Sequence, residues 1–266
     1  MIETSSRHAH IEPIDGGEIE VFRGGSGQPV LLLHGAYGWW GWEPVLDRLS
    51  EKLKVVAPSH PGFGHSTRLD GIDSVDDLAY FYLDYIEKQG LMPGRLVGLG
   101  MGGWLAAEIA VRSPHLVERL VLVDSVGIKI SDRETRDIGD PFILFGDELQ
   151  AMLWNDPSSF SLPVPAPGMP PDQLEVVLRN QESAMYYGWK PFMHNPKLRQ
   201  RLHRITCPTL VVWGEGDRIV APSYGRAFAD SIPNARFVSI PGAGHYPHRE
   251  QLEPFVAAVQ EFLAAD

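Results

Sequence analysis

The chain has 266 residues, with 23 Lys and Arg against 34 Asp and Glu, a formal charge of −11. At 44% hydrophobic and 21% charged it carries enough apolar material for a sizeable core, which excludes a disordered chain. The negative excess repels phosphate backbones, so nucleic acid is not an expected partner. Cys207 is the single cysteine; it excludes an intrachain disulfide and sits among apolar neighbours as a core thiol. The opening MIETSSRHAH has no apolar h-region, and no later run approaches roughly 18 apolar residues. The expectation is a cytoplasmic protein with no membrane partner. The 27 Gly and 22 Pro mark it as loop-rich.

Short apolar runs alternate with longer amphipathic ones, the signature of a sheet with crossover helices. Pro29–Leu33 reads as a buried strand ending at His34-Gly35. Leu53–Ala57 is a second, followed by the turn Pro61-Gly62-Phe63-Gly64. Ser74 caps a helix, with Asp77 as a carboxylate version of the capping box; Leu78, Phe81, Tyr82 and Tyr85 fall at helical spacing. Arg95–Gly98 is a strand entering a glycine-rich turn, then a helix from Trp104 to about Arg112, stopped by Pro114. Leu120–Val123, Thr209–Trp213 and Arg236–Ile240 supply further strands, and Pro254–Leu263 a closing helix. Continuous apolar strands separated by helices argue a mostly parallel sheet covered on both faces.

Between Gly127 and Arg204 this rhythm stops. The segment reads as helical over Asp147–Trp154 and Asp172–Tyr187 and is broken by the proline-rich Pro163–Pro171. A stretch this long needs structure of its own. It is expected to be a helical cap over 127–204, inserted into a core formed by 1–126 and 205–266. Its Met and aromatic residues serve first as packing between cap and core, with some facing a cleft. Lys197, Arg199, Arg201 and Arg204 form a solvated helix face.

The chemistry centres on Gly98-Leu99-Gly100-Met101-Gly102-Gly103. A strand, a tight turn and a helix N-terminus present backbone N–H groups and a positive dipole end. Two readings compete. Gly98, Gly100 and Gly103 match the dinucleotide pattern G-x-G-x-x-G, with Asp124 ending the next strand as a ribose ligand would. Alternatively, Gly98 and Gly102 flank a nucleophile elbow, G-x-S-x-G, with Gly100 where serine belongs.

The rest of the chain favours the elbow. His34-Gly35-Ala36 follows an early strand, and Pro61-Gly62-Phe63-Gly64-His65-Ser66 follows the next. Gly214-Glu215-Gly216-Asp217-Arg218-Ile219 and Gly244-His245 follow two later strands. Five motifs in this order make the chain, from about residue 16, resemble the α/β-hydrolase superfamily. It resembles the serine-hydrolase type with a helical cap, such as esterases and ring-cleavage C–C hydrolases. The resemblance implies an eight-stranded, mostly parallel sheet covered by helices on both faces, with the inserted cap. It also implies acyl transfer: a nucleophile attacks a carbonyl, His245 takes and returns its proton, and Asp217 holds the imidazole tautomer. The amides of Ala36 and Met101 would bind the oxyanion. Asp124 is the alternative acid. His10, His60, His65, His194 and His248 default to structural roles.

Gly100 departs from the family. Loss of a serine nucleophile costs roughly a factor of 10⁶ in kcat, or about 8 kcal/mol. Glycine suits the fold, because an elbow strains a serine backbone by about 1–3 kcal/mol. Ser125, Ser59 and Ser66 lie near strand ends, but none sits on a strand-turn-helix elbow. Three accounts remain: an esterase or C–C hydrolase whose serine has been replaced, leaving it silent or trapped; a cofactor-free lyase or oxygenase using the His245–Asp217 dyad; or a non-catalytic binding protein.

All three share a pocket. His34, Gly35, Tyr37, Trp39, Trp154 and Trp189 are expected to line it, with Trp40, Trp42 and Trp104 nearby as helix anchors. Such a lining suits a small, uncharged apolar or aromatic substrate. No metal-ligand spacing, C-x-x-C or P-loop occurs, so neither metal nor cofactor is expected. A homodimer is compatible with the sequence.

Overall fold

The strand order across the sheet is β1-β2-β4-β3-β5-β6-β7-β8, in a computed structural model that describes residues 9–91, 94–162, 165 and 168–265. The strands are β1 (Ala9–Ile14), β2 (Gly17–Gly24), β3 (Gln28–Leu33), β4 (Leu53–Pro58), β5 (Gly94–Leu99), β6 (Val117–Val123), β7 (Thr209–Gly214) and β8 (Ala235–Ile240). β1 and β2 pair antiparallel to each other, and β2 to β4; every other pairing is parallel. This is the eight-stranded, mostly parallel sheet of an α/β-hydrolase fold.

The α-helices are α1 (Pro44–Ser50), α2 (Val75–Lys88), α3 (Met101–Arg112), α4 (Gly146–Leu153), α5 (Pro171–Gly188), α6 (Leu198–Arg201), α7 (Pro222–Asp230), α8 (Pro247–Glu250) and α9 (Leu252–Ala264). Successive strand residues point to opposite faces, and two cores result. Val30, Leu32, Val97, Val121 and Val212 pack against α1 and α9. Leu31, Leu33, Leu96, Leu122 and Trp213 pack against α2, α3 and α7. Among the described residues no helix is long and apolar enough to cross a membrane.

Ser74 caps α2, its hydroxyl accepting the Asp77 N–H at 3.1 Å. α3 begins at Met101, three residues before the start read from sequence, because two weak helix formers fill its first turn. They are there for contact: a Cβ on Gly102 would come within 2.1 Å of the Leu33 carbonyl oxygen. β1 and β2 are missing from the runs read in the sequence, β1 because it is a largely exposed edge strand and β2 because its apolar residues are interrupted by Glu18, Glu20 and Arg23. α1 and α7 are missing because they are short and start at prolines.

The segment between β6 and β7 holds α4, α5 and α6. Part of its proline-rich Pro163–Pro171 stretch lies outside the described residues. α5 is bolted to the core by polar side chains. Asn180 donates Nδ2–H to the Tyr37 carbonyl at 2.9 Å and accepts the Gly64 N–H at 2.8 Å. Ser183 and Tyr187 donate to the carbonyls of Gly62 and Pro61, at 2.7 and 2.9 Å.

Candidate active site

The ends of β3, β5, β6, β7 and β8 converge, as ligand sites do at the carboxyl edge of parallel sheets. At the end of β5 the chain reverses through Gly100, whose φ of 52° and ψ of −113° form a sharp strand-to-helix turn. Its N–H donates to the Val123 carbonyl at 2.8 Å, and its carbonyl accepts from Gly103, Trp104 and Val126. Gly98 admits the helix at close range, since a Cβ there would lie 2.3 Å from the Gly102 oxygen.

After β8, the His245 N–H donates to the Leu153 carbonyl at 2.9 Å, joining the histidine loop to α4. Its Nδ1 lies 2.9 Å from Asp217 Oδ2. Asp217 Oδ1 accepts the N–H groups of Ile219 at 2.8 Å and Val220 at 3.1 Å. The carboxylate is thus fixed before the histidine meets it. The opposite ring nitrogen faces the elbow: a Cβ on Gly100 would sit 3.5 Å from His245 Nε2, with only Gly35 Cα also nearby, at 3.7 Å. Nε2 makes no hydrogen bond among the described residues. As the first residue of α3, Met101 has an N–H with no acceptor within the helix, and it follows the elbow directly.

The loop after β3 is held by a buried histidine pair. The His34 and His60 rings stack at 3.8 Å. His60 donates its backbone N–H to His34 Nε2 at 2.9 Å, and His34 Nδ1 lies 2.7 Å from the Gly35 carbonyl. Burial pushes His34 down to about 4. His60 is driven well below its usual range by burial and by its neighbour. Both rings are therefore neutral near pH 7, and the loop carrying Ala36 rests on a fixed tautomer pair.

Two cavities meet at Ala36, Tyr37, His245 and Tyr246. The first includes His34, Gly35, Trp39 and Gly100 and ends at Glu43 and Arg249, which are ion-paired at 2.6 Å. The second is lined by Met101, Val126, Phe142, Met193 and Ile219 among others. Trp154 and Trp189 line neither, a correction to the pocket read from sequence. Trp154 is buried behind the site, packed on Tyr246 at 4.9 Å, and Trp189 is 54% exposed at the end of α5. Sequence reasoning missed Tyr246, the residue after His245, and the Glu43–Arg249 pair. Adjacency to the histidine was the only available signal for Tyr246; nothing local pointed to a pair 206 residues apart.

The alternative serines are occupied elsewhere. Ser59 donates to Glu20 at 2.7 Å and Ser66 to the Ser59 carbonyl at 2.7 Å. Ser125 is fully buried, and its Oγ would lie 1.8 Å from a Cβ on Gly103, so it faces the first turn of α3 rather than either cavity. Asp124, Asp217 and His245 come close together. They do not fit a metal ion, because Nδ1 is engaged by Asp217 and Nε2 faces the elbow.

The sequence matches the alpha/beta hydrolase family over residues 30–258. The chain belongs to that family. The dinucleotide reading of the glycine turn is thereby set aside. Among its relatives, the 2-hydroxy-6-oxo-2,4-heptadienoate hydrolase of Pseudomonas putida is 26% identical, with 91% of each chain covered. The 2-hydroxymuconate semialdehyde hydrolase of Pseudomonas sp. strain CF600 is 29% identical, covering 90% of this chain and 88% of that one. A thermophilic esterase from Thermogutta terrifontis superposes with a TM-score of 0.69 at 27% identity, over 96% of this chain and 97% of the other. The relatives thus include hydrolases of 2-hydroxy-6-oxo-2,4-heptadienoate and 2-hydroxymuconate semialdehyde as well as an esterase.

Proposed function

We propose that the chain is a hydrolase-family carbonyl site for a small apolar or aromatic ester or vinylogous ketone, and that glycine at position 100 prevents acyl-enzyme formation. The reading rests on one observation: a side chain at residue 100 would begin 3.5 Å from His245 Nε2, opposite a nitrogen already backed by Asp217. A serine there would attack the carbonyl while His245 took its proton and Asp217 stabilised the imidazolium. The amides of Ala36 and Met101 would receive the oxyanion. Without that oxygen the rest of the apparatus can bind and polarise a carbonyl but cannot form the covalent bond. The junction of the two cavities at His245 and Ala36 supports a substrate whose carbonyl sits there and whose apolar arm fills the second cavity. In this reading the 127–204 segment is the cap.

The test compares the chain as it stands with Gly100→Ser on aryl esters and on a vinylogous diketone from ring fission. Serine is expected to raise turnover by several orders of magnitude, up to about 10⁶, and to confer labelling by a fluorophosphonate. Equal turnover of the two forms would overturn the reading. A second reading is favoured by the unpartnered Nε2: His245 acts as a base on water or on the substrate itself. His245→Ala in the Gly100 background decides it. Residual turnover that vanishes supports the dyad reading, whereas binding without turnover in both forms supports a binding protein.

A further inference from the structure

Two aspartates lie beside one imidazole, and they are bonded very differently. Asp217 uses both oxygens, one on two backbone N–H groups and the other on His245. Asp124 follows β6 directly, with a left-handed backbone at φ 42°. Its N–H donates to the Val212 carbonyl at 3.0 Å, and its Oδ1 accepts the Gly214 N–H at 2.8 Å. It therefore ties the end of β6 to the end of β7, where the turn carrying Asp217 departs. Its Oδ2 is buried and finds no donor among the described residues. One polar atom from each of Asp124, Asp217 and His245 lies within 4.8 Å of the other two.

A carboxylate oxygen buried without a donor is costly, and two carboxylates in one dry compartment repel. Neither aspartate is ion-paired to a Lys or Arg among the described residues. A proton on Oδ2 removes both penalties, because it turns an orphaned acceptor into a donor and cancels one charge. We propose that Asp124 is a neutral carboxylic acid that donates Oδ2–H to the Asp217 carboxylate, making it a positioning residue for the His245–Asp217 dyad. Burial and the Asp217 charge push Asp124 well above the usual carboxylate range, Glu250 adds to this, and the Gly214 N–H opposes it. The pair then carries one negative charge, and the Asp217 carboxylate is held from every side. The inference goes beyond the proposed function and holds whatever the substrate.

The proton can be observed directly. Infrared spectra of the intact chain, with and without carbon-13 aspartate, are expected to show a protonated-carboxyl C=O band near neutral pH. The band is expected to vanish in Asp124→Asn. By NMR, the titration midpoint of His245 should move by no more than about half a unit in Asp124→Asn, since asparagine is also neutral and also a donor. Asp124→Val should broaden the His245 Nδ1–H resonance, and Asn should restore it. An ionised Asp124 predicts instead no carboxyl band and a fall of about 1 unit or more in the midpoint when its charge is removed; either result overturns the proposal. Should the variants not fold, the band in the unaltered protein decides.

Discussion

His245 Nε2 and Gly100 face each other across a gap in which a Cβ at residue 100 would lie 3.5 Å from the nitrogen. On the other side of the ring, His245 Nδ1 lies 2.9 Å from Asp217 Oδ2. In the proposed reading a side chain at residue 100 would complete the set, and the consequences for stability, acid response and binding can each be measured.

Gly100→Ser is expected to lower stability while it raises turnover. At φ 52° and ψ −113° any side chain carries backbone strain of about 1–3 kcal/mol, and that loss should appear in denaturant melts. A serine form as stable as the parent would mean the elbow had relaxed to another conformation.

Acid should weaken the protein well before its carboxylates are titrated. His34 is neutral in the fold down to about pH 4, whereas an unfolded histidine takes up its proton near pH 6.5. The unfolded chain therefore binds more protons as pH falls below 6.5, and stability declines until about pH 4. His34 alone accounts for about 3 kcal/mol across that window, with His60 adding in the same direction. Urea melts between pH 7 and 4 measure the slope, and His34→Gln should flatten it.

Asn180→Ala removes the partner of two backbone groups at once, the Tyr37 carbonyl and the Gly64 N–H. Each buried group left unpaired costs about 1–3 kcal/mol. Hydrogen exchange should accelerate at Gly64 and through α5, while the amides of β6 and β7 keep their protection.

Phe142 and Trp189 both lie between β6 and β7 but should behave oppositely. Phe142 lines the apolar cavity and stacks with Tyr37 at 6.3 Å; Trp189 is largely in solvent. Calorimetry of an aryl ester with the Gly100 chain should show about tenfold weaker binding for Phe142→Ala. Trp189→Ala should leave binding unchanged.

Much of this fold was legible because parallel strands must be buried on both faces, and buried strands are written as unbroken apolar runs. Leu120–Val123 and Thr209–Trp213 could hardly be read otherwise. β1 and β2 could not be found, since neither an exposed edge strand nor one broken by Glu18, Glu20 and Arg23 leaves such a run. The residues after each strand were legible for a related reason: glycines 98, 214 and 244 crowd turns that place Gly100, Asp217 and His245 at one edge. The cavity lining was less so. Tryptophan identity says nothing about which way a helix turns, and the last turn of α5 points Trp189 outward while Trp154 packs behind Tyr246. The pairing of Glu43 with Arg249 depends on tertiary approach and leaves no local trace.

The elbow keeps its shape through the backbone hydrogen bonds of Gly100 and the small size of Gly98 and Gly102. None of these depends on a side chain at residue 100. Architecture and reactivity are therefore separable at this position. A change of residue there could add or remove a reactive atom without rebuilding the scaffold. The site is a socket whose occupant selection can exchange independently of the fold that holds it.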